Sequence, residues 1–142
     1  MTTPSDIFSN CKTIAVVGLS SNPERPSHAV ARYLQQQGYR ILPVNPSYAG
    51  QQVLGETVYT SLQEAAGALP AGQRIDVVDC FRKADEMLPV ARDAVAVRAG
   101  ALWMQLGVVN QAAADLAQAA GLDVVMDRCM KIEHAAMSRD GA

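Results

Sequence analysis

Five short apolar runs mark the chain, and amphipathic stretches separate them. Lys12–Gly18, read KTIAVVG, stays apolar once past its first two residues and ends on glycine, the pattern of a strand covered on both faces. Tyr39–Pro46, Arg74–Phe81, Gly100–Gly107 and Leu122–Asp127 are the other four. Between them the apolar period lengthens to that of a helix. Val30, Tyr33 and Leu34 share one helical face, with Ser27 placed to cap the helix and Gly38 to end it. Ser61 followed by Glu64 is a capping-box signature for a short helix. Another helix is predicted from about Leu88, with Pro89 in its first turn, to Arg98. Asn110 caps a helix whose Ala113, Leu116, Ala117 and Ala120 form one face, and Gly121 stops it. Arg128–Met137 predicts a final helix, with Ser138–Ala142 fraying. Ser47–Thr60 reads as loop with at most one short strand near Val58.

Strand and helix alternate without a repeat, a low-complexity segment or a linker. That pattern predicts an α/β fold: a single doubly wound Rossmann-like domain over residues 1–142, its core about 12–137. The sheet is expected to be mostly parallel, five- to six-stranded, with right-handed crossovers. Ligands of such sheets bind beyond the carboxyl ends of the strands, at the switch point. Candidate chemistry therefore belongs to Gly18–His28, Asn45–Ser47, Cys80–Lys83, Gln105–Gly107 and Asp127–Cys129.

The first of these ends follows the first strand and leads into a helix N-terminus, which favours an anion. Gly18 and Leu19 open a loop too long for a compact three-glycine dinucleotide turn, and Pro23 and Pro26 stiffen it. Ser20, Ser21 and Ser27 can donate to phosphate oxygens, and Arg25 can fork onto one. The plain alternative is an ordinary capped loop with a solvated arginine. At the second strand end an NAD site usually carries an acid for the ribose hydroxyls. Here stand Asn45 and Pro46, which suit a ligand bearing phosphate on its ribose, or merely a turn. Phe81 can stack on a base or cover an apolar arm, and Arg82 and Lys83 can face the crevice or be solvated. Trp103 reads as core or interface, and Gln105, two residues on, as a polar ligand contact. Cys129 near a helix start is a candidate redox-sensitive thiol or a small packing residue. It lies five residues from His134, about 140° around a helix, which argues against a Cys–His dyad.

Composition narrows the choice. A net charge of −2 gives no basic field for nucleic acid. Three widely spaced cysteines make no secreted disulfide framework, and two histidines without CxxC or HExxH predict no metal site. The N-terminus lacks an apolar signal-like stretch, and no window reaches membrane-spanning length, so a cytoplasmic protein is expected.

VVGLS (Val16–Ser20), NPERPSHAVARYL (Asn22–Leu34), VNP (Val44–Pro46) and VLGE (Val53–Glu56) recur in a known order and spacing. IDVVDCFR (Ile75–Arg82), LWMQLG (Leu102–Gly107) and AGLDVVMDRCMKIEH (Ala120–His134) continue it. Together they resemble the small stand-alone bacterial CoA-binding proteins of the YccU type, from about Ile14 to Met137. That domain is similar to the CoA-binding Rossmann domain of the succinyl-CoA synthetase alpha subunit. The resemblance implies a cytoplasmic protein that binds coenzyme A or an acyl-CoA, its Ser20–Ser27 loop cradling the pyrophosphate. It also implies that Asn45-Pro46 and Phe81-Arg82 line the nucleotide and pantetheine path. The family lysine after Asn-Pro is replaced by Ser47, leaving Arg25, Arg40 or Lys83 to meet the 3′-phosphate. The synthetase's phosphohistidine domain and partner subunit have no counterpart in 142 residues, so its ligase chemistry is not carried over. The expectation is a CoA-binding module with no catalytic residue of its own, as a homodimer or beside a separate catalytic chain. The alternatives are an NAD(P)-binding oxidoreductase or redox sensor, and a thiol protein whose Cys129 pairs with CoA.

Overall fold

The computed structural model describes residues 3–140. Its strands are β1 (Thr13–Val17), β2 (Arg40–Val44), β3 (Gln52–Val53), β4 (Glu56–Thr57), β5 (Val77–Cys80), β6 (Ala101–Met104) and β7 (Asp123–Val125). The helices are α1 (Pro4–Ser9), α2 (Pro26–Gln36), α3 (Leu62–Gly67), α4 (Met87–Ala96), α5 (Gln111–Ala119) and α6 (Met130–Asp140). The five apolar runs form one parallel sheet in the order β2-β1-β5-β6-β7. Val17 aligns with Val44 on one side and Cys80 on the other. The chain leaves β1 toward β2 and later returns on its other side, so the order reverses between β1 and β5 and a crevice opens at their carboxyl ends.

Strand periodicity divides the core into two layers. Ala15, Val17, Val78, Cys80, Leu102 and Met104 pack toward α3, α4 and α5. Ile14, Val16, Val77, Ala101 and Trp103 pack toward α1, α2 and α6. Trp103 is fully buried, and its indole N–H donates to the Arg128 carbonyl at 2.8 Å. Asn110 caps α5 by accepting from the Ala113 amide at 3.0 Å, and Ser61 caps α3 through the Glu64 amide at 3.1 Å.

Some elements differ from the sequence reading. The cap of α2 is Arg25, not Ser27, because Pro26 has a backbone already set for the first helical position. Ser27 is thereby carried into the helix and turned onto the preceding loop. α1 is new: Thr3 and Asp6 form a reciprocal capping box around Pro4, and Ile7 and Phe8 are buried. So short a helix is unstable alone and exists through its packing. β3 and β4 form an antiparallel hairpin turned at Leu54 and Gly55, both at positive φ. α6 continues to Asp140 rather than fraying after Met137, with its first half anchored by the buried Met130 and His134. Residues 141–142, also expected to fray, lie outside the described residues. No helix among the described residues is long and apolar enough to cross a membrane.

Candidate functional site

The loop from β1 to α2 is built around a close approach. Gly18 has φ +86°, and a Cβ there would lie 2.5 Å from the Phe81 carbonyl oxygen at the end of β5. Its N–H donates to the Val44 carbonyl at 2.8 Å, binding three strand ends together. Asn45 is buried and fully employed: Nδ2 donates to the Leu19 carbonyl at 3.1 Å, and Oδ1 accepts from the Ser47 amide at 3.0 Å. Within the loop, Ser27 Oγ accepts from the Ser20 amide at 3.0 Å and Ser20 Oγ from the Asn22 amide at 3.1 Å. Each hydroxyl has spent a lone pair on backbone and keeps its hydrogen for a further acceptor. Both sit beside the N-terminus of α2, where an anion is favoured.

Two clefts open at this rim. The first, about 360 Å³, is bordered by Gly18, Ser20, Ser27, Arg25 and Tyr48. The second, about 510 Å³, has walls of Val30, Leu106 and Val108, with Gln105, Lys83 and Cys129 around them. Pro26 and Phe81 border both, so the clefts adjoin. Among the described residues no carboxylate lines either one, whereas Arg25, Arg82 and Lys83 do. A polar recess with one arginine, beside a mainly apolar one that also carries Arg82 and Lys83, suits a ligand with phosphates at one end and an uncharged arm at the other.

Residues 12–135 match a family described as CoA binding domain. The chain belongs to that family. It is 38% identical over 130 residues to the uncharacterized protein YneT of Bacillus subtilis, covering 92% of this chain and 90% of that protein. The solved structure of cell-free ID.343 from Thermus thermophilus superposes with a TM-score of 0.86 at 35% identity, covering 96% of this chain and 99% of that one. The dinucleotide forming acetyl-coenzyme A synthetase 1 of Ca. Korarchaeum cryptofilum shares the fold, with a TM-score of 0.68 at 19% identity. Here 83% of this chain covers 26% of the synthetase.

In this CoA binding domain the predicted residues divide. Gly18, Ser20, Arg25, Ser27 and Phe81 meet at the first cleft; Phe81, Arg82, Lys83 and Gln105 meet at the second. Leu19 does not join them: it is 0% exposed and packs in the core, because the turn at Gly18 directs it back under the sheet. Ser21 is exposed and borders neither cleft. Asn45 is a strut of the loop rather than a wall. Pro46 borders a separate recess with Thr60, Ser61 and Arg82, since the turn Pro46–Tyr48 points it away. That same turn brings Tyr48 into the first cleft, a wall residue that the sequence reading missed along with Val30, Leu106 and Val108. Only the Asn-Pro signal hinted at Tyr48. Arg40 begins β2, at the opposite end of the sheet, and is removed as a partner for a ligand at this rim.

Burial sets the electrostatics behind the rim. Asp79 on β5 is fully buried, and desolvation pushes its carboxyl up to about 7 against the opposing pull of its hydrogen bond from Gln105. Burial also pushes the Cys80 thiol up, and Cys11 up to about 12, so neither is a ready nucleophile. Cys129 is half-buried at the second cleft. His134 is occupied elsewhere: Nδ1 lies 2.9 Å from the Tyr33 hydroxyl, and Phe8 and Tyr39 stand edge-on to its ring. The Arg128 guanidinium bonds Glu133 at 3.1 Å across the start of α6. Asp127, at φ +59°, accepts from the Gly107 amide at 2.7 Å and pins the turn that carries Leu106.

Proposed function

We propose that the chain binds coenzyme A or an acyl-CoA across the two clefts and performs no ligase chemistry of its own. The phosphates lie against Ser20, Ser27, Arg25 and the start of α2, and the pantetheine arm runs past Phe81 into the apolar cleft. The supporting observation is the rim itself: two adjoining clefts, one polar with Arg25 and one mainly apolar with Arg82 and Lys83, and no carboxylate lining either among the described residues. With Arg40 at the far end of the sheet, Arg25 and Lys83 are the candidates for the 3′-phosphate. The uncharged Asn45 at the end of β2 disfavours NAD, which loses its ribose anchor there. On this reading the chain is a cytoplasmic CoA-binding protein of the YccU type, akin to the CoA domain of succinyl-CoA synthetase. It works as a homodimer or by presenting CoA to a separate catalytic chain.

Mass spectrometry of ligand released from gently purified protein is expected to find CoA species; recovery of NAD alone rejects the proposal. In calorimetry Arg25→Ala weakens CoA by about 1.5 kcal/mol, the lower end for a charged hydrogen bond because Arg25 is exposed. Unchanged affinity takes Arg25 out of the site. A thiol reagent is expected to label Cys129 well before the buried Cys11 and Cys80, and saturating CoA to slow that labelling about tenfold or more, as occupancy far above Kd does for a covered group. Labelling indifferent to CoA places the arm elsewhere.

A further inference from the structure

The apolar cleft contains one polar group whose orientation is fixed from behind. Gln105 is only 4% exposed, yet it borders the cleft. Its Nε2 donates to Oδ1 of the fully buried Asp79. An ionised carboxylate accepts hydrogen bonds and donates none, so it dictates which end of the amide faces it. The other end, Oε1, finds no donor among the described residues and is not sealed from the cleft. Asp79 has no other evident role: its second oxygen is unpartnered, and no cation among the described residues pairs with it. Burying such a group in the sheet is unfavourable, and among the described residues its one side-chain hydrogen bond is from Gln105.

We propose that Gln105 is a specificity-determining residue that presents a carbonyl acceptor to the arm of the ligand, and that Asp79 is its positioning residue. The cleft therefore selects an arm bearing an amide N–H. The inference rests on the reading that this cleft takes the pantetheine arm of CoA. An arm without a donor leaves Oε1 buried and unpaired, which is more costly than the net gain of an ordinary hydrogen bond.

The test compares ligands at pH 8, above the Asp79 titration near 7. Calorimetry is run with CoA, with ADP (which has the adenosine diphosphate but no arm), and with a CoA analogue whose two pantetheine amides are esters. Wild-type protein is expected to bind CoA roughly tenfold tighter than the ester analogue, as an unpaired acceptor predicts. Equal affinities overturn the inference without requiring any variant to fold. Gln105→Leu is expected to abolish that preference while leaving ADP binding within about twofold, as befits a contact made only to the arm. Loss of CoA and ADP affinity by the same factor overturns it. Asp79→Asn offers a donor as well as an acceptor, so it no longer dictates which end of the amide faces it and is expected to weaken the preference, and Asp79→Val, which offers neither, to lose it. If both variants retain the preference, Asp79 is not the positioning residue. Failure of wild-type protein to bind CoA at all defeats the CoA reading itself and is distinct from each of these results.

Discussion

Between pH 4 and pH 8, wild-type protein is expected to lose up to about 4 kcal/mol of stability relative to Asp79→Asn. The cause is the buried carboxyl on β5. Unfolded, it ionises near the ordinary value of 3.8; folded, burial holds it protonated to about 7. Below pH 4 both states carry the proton and Asp79 imposes no ionic penalty. Between these values the unfolded state gives up a proton that the folded state keeps, so stability falls as pH rises. Above pH 7 the penalty is complete, because the carboxylate is charged in an apolar sheet with one hydrogen bond from Gln105. The amide of the Asp79→Asn variant cannot ionise, so that protein lacks this slope while sharing every other titration. Urea midpoints of both proteins at pH 4, 6 and 8 give the difference directly, with m-values checked for constancy. Parallel curves show that Asp79 stays near its unfolded value and is solvated. Retaining a group this unfavourable at neutral pH fits a residue that serves the cleft rather than the fold.

The α/β class, the five strands and the caps at Ser61 and Asn110 were legible because each rests on local periodicity or a short-range hydrogen bond. The strand ends also led to the rim where the two clefts open, since an alternating pattern of strands and helices predicts where such sheets bind ligands. Which side chain at a strand end faces the crevice was less legible. Leu19 and Ser20 are neighbours, yet one is core and the other wall, because the backbone turn at Gly18 sets their directions. Asn45 looked like a ligand contact because its chemistry fits one; the same two polar atoms are instead consumed by Leu19 and Ser47. Arg40 was attractive by charge alone, and only its place at the amino end of β2 excludes it. The capping box of α1 was present in the sequence, but the helix it starts depends on packing against distant residues. The β3–β4 hairpin was hidden because Leu54-Gly55 lacks the asparagine or aspartate usual in such turns.

Gly18→Ala is expected to destabilise the protein by about 2–4 kcal/mol and to weaken CoA more than tenfold. Two separate terms act at this position. A left-handed backbone, φ +86° here, costs an alanine about 1–2 kcal/mol wherever it occurs. The added Cβ also falls 2.5 Å from the Phe81 carbonyl oxygen and 3.1 Å from its carbon, both main-chain atoms that cannot rotate aside. Relief requires the carboxyl ends of β1 and β5 to separate, which is the point where the two clefts meet. Gly38→Ala is the control. It has a similar φ of +97° but no atom within 4 Å of the new Cβ, so it carries the conformational term alone. The excess loss at Gly18 over Gly38, read from urea midpoints, measures the clash between strand ends. Equal losses mean that the strands do not approach so closely. A stability excess at Gly18 with CoA affinity intact means that the ligand does not lie across the β1–β5 switch point, and the phosphate cradle has to be sought elsewhere on the molecule.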